Sequence, residues 1–199
     1  MTTTECFARA IERFDEANAH DPNREIADGE DRSKELLYAQ RLTAMLARFA
    51  PDASAALRLA ARCQHIERWR IPRTDYPMTR AGYHRWRSTL RDFHADRAAA
   101  ILADVGYDEA TIARVRALVR KEGLKSDPDA QALEDVVALV FLETYLDDFV
   151  AKHAEYDEAK FLDILQKTGR KMSDRGRDAA RTTIALPQAL APLVRKAMA

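Results

Sequence analysis

The sequence predicts an all-α protein of about eight or nine helices, arranged as a single domain over residues 1–199, and three observations carry that prediction. Apolar residues recur at helical spacing through nearly the whole chain, while the strict alternation of a half-buried strand is nearly absent. Pro, Gly and Asp fall between the periodic runs, where they stop one helix and cap the next. Apolar residues make up 47% of the chain, enough for a real core, yet no run of them is long enough to span a membrane.

The elements follow in order. A first helix is expected from about Thr4 to Asn18, with Phe7, Ile11 and Phe14 on one face. The segment HDPNREIADGEDR then reads as an acidic loop, long for a compact domain and therefore either mobile or functional. A second helix, about Ser33 to Phe49, carries Leu37, Arg41 and Met45 and is broken by Pro51 and Asp52. A third runs from Ala53 to Trp69, and Ile71-Pro72 closes it because the residue before proline disfavours helix. Beyond the irregular stretch PRTDYPMT, a long helix from about Arg80 to Val105 stops at Gly106. Asp108 caps the next helix, which ends at Gly123. Asp127 and Pro128 open a helix to about Lys152, striped by Leu133, Val137, Val140 and Phe141. Shorter helices are expected near 157–167, 174–184 and 188–198. The basic run GRKMSDRGR between the first two of these reads as a phosphate-contacting turn or as a linker.

Lys+Arg and Asp+Glu both number 32, so net charge points to neither a polyanion nor a membrane as partner. The charge is nevertheless uneven. Residues 62–97 hold nine Arg and four acids, whereas residues 126–163 hold eleven acids and two Lys. One reading is solvated helix faces that attract one another on folding; the other is a basic mouth beside an acidic metal-binding wall. Cys6 and Cys63 stand in no metal-type spacing and predict no disulfide framework, with Cys63 a reduced core residue. The absence of a secretory pattern in MTTTECFARAIERF points to the cytoplasm. Neither GxGxxG nor GxxxxGK[ST] occurs, which argues against a Rossmann or P-loop nucleotide site.

Four polar residues interrupt otherwise apolar helices. His65 lies late in ASAALRLAARCQHIERW, with Arg68 and Trp69 at i+3 and i+4. His94 sits mid-helix in RDFHADRAAAIL. Glu134 and Asp135 interrupt QALEDVVALVFLE, where a carboxylate at the core edge is costly unless paired or metal-bound. Its partner is therefore one of the arginines of residues 62–97, or a metal shared with the two histidines. His20 and His153 stand in polar contexts and read as solvated. Arg68, Arg70, Arg73, Arg80, Arg85, Arg87 and Arg91 are interleaved with Trp69, Tyr76, Tyr83 and Trp86. Planar guanidinium forks beside aromatic faces suit phosphate recognition and base stacking.

The segments ELLYAQR, AARCQHIERW, IPRTDYP, RAGYHRWR, FHADRAA, ALEDVVALVFLE and KTGRKMS resemble a bacterial and fungal family described only as a domain of unknown function. More distantly, their order is similar to the HD superfamily of all-α metal-dependent phosphohydrolases, in which a His, a His-Asp doublet and a later Asp hold a divalent metal. In that resemblance His65 matches the doublet histidine, His94 an additional ligand and Asp135 the closing aspartate. The chain departs from the pattern at two places: the doublet reads His65-Ile66, and Tyr38 stands where the first histidine belongs, with Glu35 one turn earlier.

What the resemblance implies is an HD-like domain with a divalent metal ion on Glu35, His65, His94 and Asp135. The catalytic carboxylates would be Glu67 and Glu134, and Arg68, Arg73, Arg80 and Tyr76 would hold the phosphate of an ester or nucleotide. The alternative is an HD-like module without catalysis, which binds a nucleotide or nucleic-acid phosphate through the Arg and aromatic cluster.

Overall fold

The computed structural model describes residues 2–199. They are 70% helix and 4% strand, so the helical class holds, as ten α-helices and one small hairpin that the sequence reading did not anticipate. The chain forms two compact units, one from residues 2–44 and 52–122, the other from residues 45–51 and 123–199.

In the first unit α1 (Thr3–Ala19) opens on reciprocal caps: Glu5 N donates to Thr2 Oγ1 at 3.2 Å, and Thr2 N donates to the Glu5 carboxylate at 2.7 Å. The expected acidic loop is an antiparallel hairpin, β1 (Arg24–Ala27) and β2 (Glu30–Ser33). Its turn residues Asp28 and Gly29 have φ of 53° and 79°, the backbone that joins twisted strands in two residues. The Arg24 guanidinium bridges to Asp31 at 3.2 Å and to Ser33 Oγ at 2.8 Å. Arg41 of α2 (Lys34–Phe49) pairs with Glu25 and ties the hairpin down.

Ser54 caps α3 (Ala55–Cys63), which ends six residues short of the expected Trp69. The cause is Glu67, whose backbone is left-handed at φ 50° and whose N–H donates to Asn18 Oδ1 at 2.9 Å. One tight turn, Arg68–Arg70, follows. The loop beyond is fastened by Arg73, which donates to Tyr76 O at 2.9 Å and Pro77 O at 2.8 Å, and by Trp86 Nε1, which donates to Ile71 O at 2.9 Å. Thr79 caps α4 (Arg80–Val105), which ends in a left-handed Gly106 as expected. Asp108 caps α5 (Glu109–Arg120); Lys121 takes the left-handed position that closes it, ahead of Gly123. Helix α5 packs on α4 and α3, and α1 packs on the same two helices.

In the second unit Asp127 caps α6 (Pro128–Val140), which widens for one turn at Phe141–Tyr145 before α7 (Leu146–Ala151). Glu143 in the wide turn accepts from both terminal nitrogens of Arg48, at 2.9 and 3.0 Å, and from Ala185 N at 3.0 Å. The remaining helices are α8 (Glu158–Gly169), α9 (Asp174–Thr182) and α10 (Ala191–Ala197); α6 packs on α9, and α10 on α8 and α9. His153, expected in solvent, is half-buried against Phe149 and Tyr156, with ring centroids 4.4 and 4.9 Å away. No helix among the described residues is long and apolar enough to cross a membrane.

Gly82 marks where the loop closes on α4. A Cβ there would lie 2.1 Å from the Pro77 carbonyl oxygen, a backbone atom that cannot swing aside. Gly82→Ala is expected to destabilise the protein by about 1–3 kcal/mol, as overpacking does. The urea midpoint reads this, and an unchanged midpoint would show that the loop shifts freely.

Candidate functional site

The left-handed turn at Glu67 brings His65 off the end of α3 and toward α4. The His65 and His94 rings lie 5.7 Å apart, centroid to centroid. His65 stacks on Tyr38 at 4.5 Å with the rings 9° from parallel, and its Nδ1 is 3.6 Å from a Glu35 carboxylate oxygen. Tyr38 and Glu35 sit one turn apart on α2, so one helix face supplies both neighbours.

His94 is fully inside. Its Nδ1 lies 2.7 Å from the Ile66 carbonyl oxygen, which can only accept, so Nδ1 carries the proton and Nε2 is a bare acceptor. That Nε2 and Gln64 Oε1 are both buried and without a hydrogen-bond partner. Burial lowers the His94 pKa to about 3 against the Ile66 bond that raises it, and the Arg68 and Arg87 charges lower it further. Burial likewise holds His65 well below the ordinary histidine range, with the Arg68 charge the next cause. Glu35 moves the other way: burial raises its pKa to about 7, although Arg68 opposes the shift.

Both imidazoles face cations. Gln64, His65, Arg68, Arg87, Leu90, Arg91, His94 and Lys121 line one cavity of about 10 Å³, roughly the space of a single water. The Arg68 guanidinium lies 4.8 Å above the Trp86 ring, 3.5 Å from His65 Nε2 and 3.9 Å from Glu35. Arg87 and Arg91 make no ion pair with a carboxylate among the described residues.

A resident divalent ion does not fit these groups. Among the described residues no three His, Cys, Asp or Glu side chains are arranged to hold a metal. The cavity that His65 and His94 share is lined by four cationic side chains, which oppose a further cation and favour an anion.

The other expected site residues lie as follows. Glu67 is taken up by Arg97 at 2.8 Å and Arg70 at 3.3 Å, a clamp on its own turn. The Arg73 guanidinium is spent on loop carbonyls, Tyr76 lends its carbonyl to that fastening, and Arg80 is exposed at the start of α4. Asp135 and Glu134 are buried in the second unit. Asp135 accepts from Ser173 N at 2.8 Å, Ser173 Oγ at 2.5 Å and Gln131 Nε2 at 3.1 Å. Burial raises its pKa and these bonds oppose the rise. The partner of this core carboxylate is thus the start of α9, which begins at Asp174 as expected, inside the GRKMSDRGR run read as a phosphate-contacting turn or a linker. Gly176 makes the approach feasible, since a Cβ there would lie 2.6 Å from the carboxylate. Two lining residues, Gln64 and Lys121, were not singled out from sequence. Lys121 carried no signal, because Gly123 already supplied a helix stop.

The profile of a family described as a domain of unknown function, DUF4202, matches residues 8–194. The chain belongs to this family. No curated protein and no solved structure matches it.

Two outcomes are expected. Asp135→Ala strands the Ser173 and Gln131 donors and should cost about 2–4 kcal/mol in urea unfolding; a loss below about half that would mean the donors find other partners. Glu35→Gln tests the raised carboxyl. Its folded pKa lies above the unfolded value of 4.5, so its stabilising share is present below that value and lost as pH rises through about 7. The stability of Glu35→Gln relative to wild type should therefore grow by on the order of 3 kcal/mol from about pH 4.5 to pH 7. A flat difference in melting temperature across that window would place Glu35 in solvent.

Proposed function

We propose that this protein binds a phosphate-bearing ligand at the mouth of the His65–His94 cavity, without a resident metal. The observation that supports the reading is the lining itself, in which Arg68, Arg87, Arg91 and Lys121 surround two imidazoles kept neutral by burial. A phosphate oxygen accepts from guanidinium forks, which is the strong charge-assisted geometry. A hydroxyl on the ligand can donate to His94 Nε2 or Gln64 Oε1, the two buried acceptors without partners. The cavity itself is too small for a phosphate group, so the anion sits at its open side, where Arg91 is exposed and Arg87 half-buried. Trp86 holds Arg68 from behind by its ring face, so little side-chain freedom is lost on binding.

Metal-assisted hydrolysis of a phosphate ester, the activity that the HD-like resemblance implies, would need a donor set that Glu35, His65 and His94 do not form. The binding reading is the one that the charge distribution supports.

Calorimetric titration with inorganic phosphate and with a nucleoside monophosphate tests it. Wild type should bind both. Arg87→Gln should weaken binding by about tenfold, equivalent to the loss of a charged hydrogen bond. Arg68→Lys should do likewise despite the retained charge, because an ammonium offers no planar fork. Arg73→Lys, remote in role, should change affinity less than about twofold. No binding by wild type, or equal losses from Arg73→Lys and Arg87→Gln, would reject the site.

A further inference from the structure

The cavity is one end of a longer feature. On α4, Arg80, His84, Arg87, Arg91 and His94 follow one another at spacings of four, three, four and three residues. That spacing puts them on a single face of the helix, and from Arg80 to Arg91 the row spans about 16 Å. Arg80, His84 and Arg91 are exposed and Arg87 is half-buried, while His94 closes the row inside the cavity. Asp92 and Asp96 of the same helix stand on another side: they pair with Arg120 at 3.0 and 3.1 Å, and Asp96 with Arg116 at 2.6 Å. The row is thus left cationic, with these two acids turned toward α5.

Tyr83 flanks the row and is 44% exposed, one of the few large rings left open in this protein. It is braced by His84 and Trp86, each with its ring centroid 5.9 Å away. An open, braced ring beside regularly spaced cations is more than a lone phosphate can use. A chain of phosphates with flat, unpaired bases uses both, because the backbone follows the charges and a base face covers the ring.

We propose that the α4 row holds a single-stranded nucleic acid, with its terminal phosphate among Arg68, Arg87 and Arg91 and a base stacked on Tyr83. This rests on the anion site proposed above and names what carries the anion. A duplex end meets the row less well, since its bases are already stacked and paired.

Fluorescence anisotropy on the full chain tests the assignment, with labelled single strands of about six nucleotides, a length within the usual span of one binding groove. The strands carry a 5′-phosphate, a 3′-phosphate or neither, and the matching duplex and inorganic phosphate are compared. One of the phosphorylated single strands should bind at least about tenfold tighter than inorganic phosphate, the unphosphorylated strand or the duplex, and its affinity should fall steeply with salt. Tyr83→Ala should lower that affinity about tenfold, as loss of one stacked base does, while phosphate binding, which Tyr83 reaches through Trp86, falls less than about twofold. If inorganic phosphate binds but no strand binds more tightly, or Tyr83→Ala has no effect on the strand, the nucleic-acid assignment falls and the anion site stands. If polyglutamate or anionic phosphatidylserine vesicles compete as well as the strand, the row reads charge alone and the assignment again falls. If neither phosphate nor any strand binds, both the assignment and the anion site fall together.

Discussion

A residue other than glycine in left-handed backbone costs about 1 kcal/mol, and Glu67 takes that conformation with φ 50°. Three contacts hold it there. Asn18 accepts its N–H, and Arg97 and Arg70 clamp its carboxylate. The consequences run through the first unit. Helix α3 stops at Cys63, the Ile66 carbonyl turns to meet His94 Nδ1, and His65 swings between Tyr38 and His94. Had the helix continued to Trp69, the Ile66 carbonyl would have pointed along the helix axis, and the proton position on His94 would have lost this partner.

The turn also decides the electrostatics. Neutral imidazoles survive beside several cations only because burial makes their protonated forms costly, and the neighbouring charges add to that cost. Glu35, buried in the same place, titrates close to neutral pH, so it gives the cations only part of a counter-charge. The result is a cavity in which two neutral imidazoles stand among Arg68, Arg87, Arg91 and Lys121. The same groups would repel a divalent ion, although imidazole and carboxylate are by type its usual ligands.

The second unit answers its own buried charge differently. Asp135 lies inside α6, and its counterpart is the first turn of α9, where Ser173 gives both its N–H and its hydroxyl. The positive end of a helix stabilises a carboxylate without a metal or an arginine. Gly176 is the condition for that approach, because any Cβ would occupy the carboxylate's place.

The sequence by itself determined the helical class, the extent of α4 with its stop at Gly106, and the Asp108 and Asp127 caps, because periodicity and capping are local properties. It also pointed to His65 and His94, since polar residues on apolar stripes need partners, and to the arginines of residues 62–97 by their interleaving with aromatic rings, whereas Glu35 came only through the family resemblance. Within local reach but passed over was the hairpin, whose Asp28-Gly29 pair is a turn signal that the acidic run around it obscured. Only the tertiary structure decided which partners were taken. Arg73 and Arg87 look alike in sequence, yet one fastens a loop and the other lines the cavity. Glu67 and Glu35 look alike too, yet one is clamped by two arginines and the other is left to titrate near neutrality. The reason is that a charged side chain's role depends on what lies within a few ångströms of it in space, and those neighbours come from distant parts of the chain.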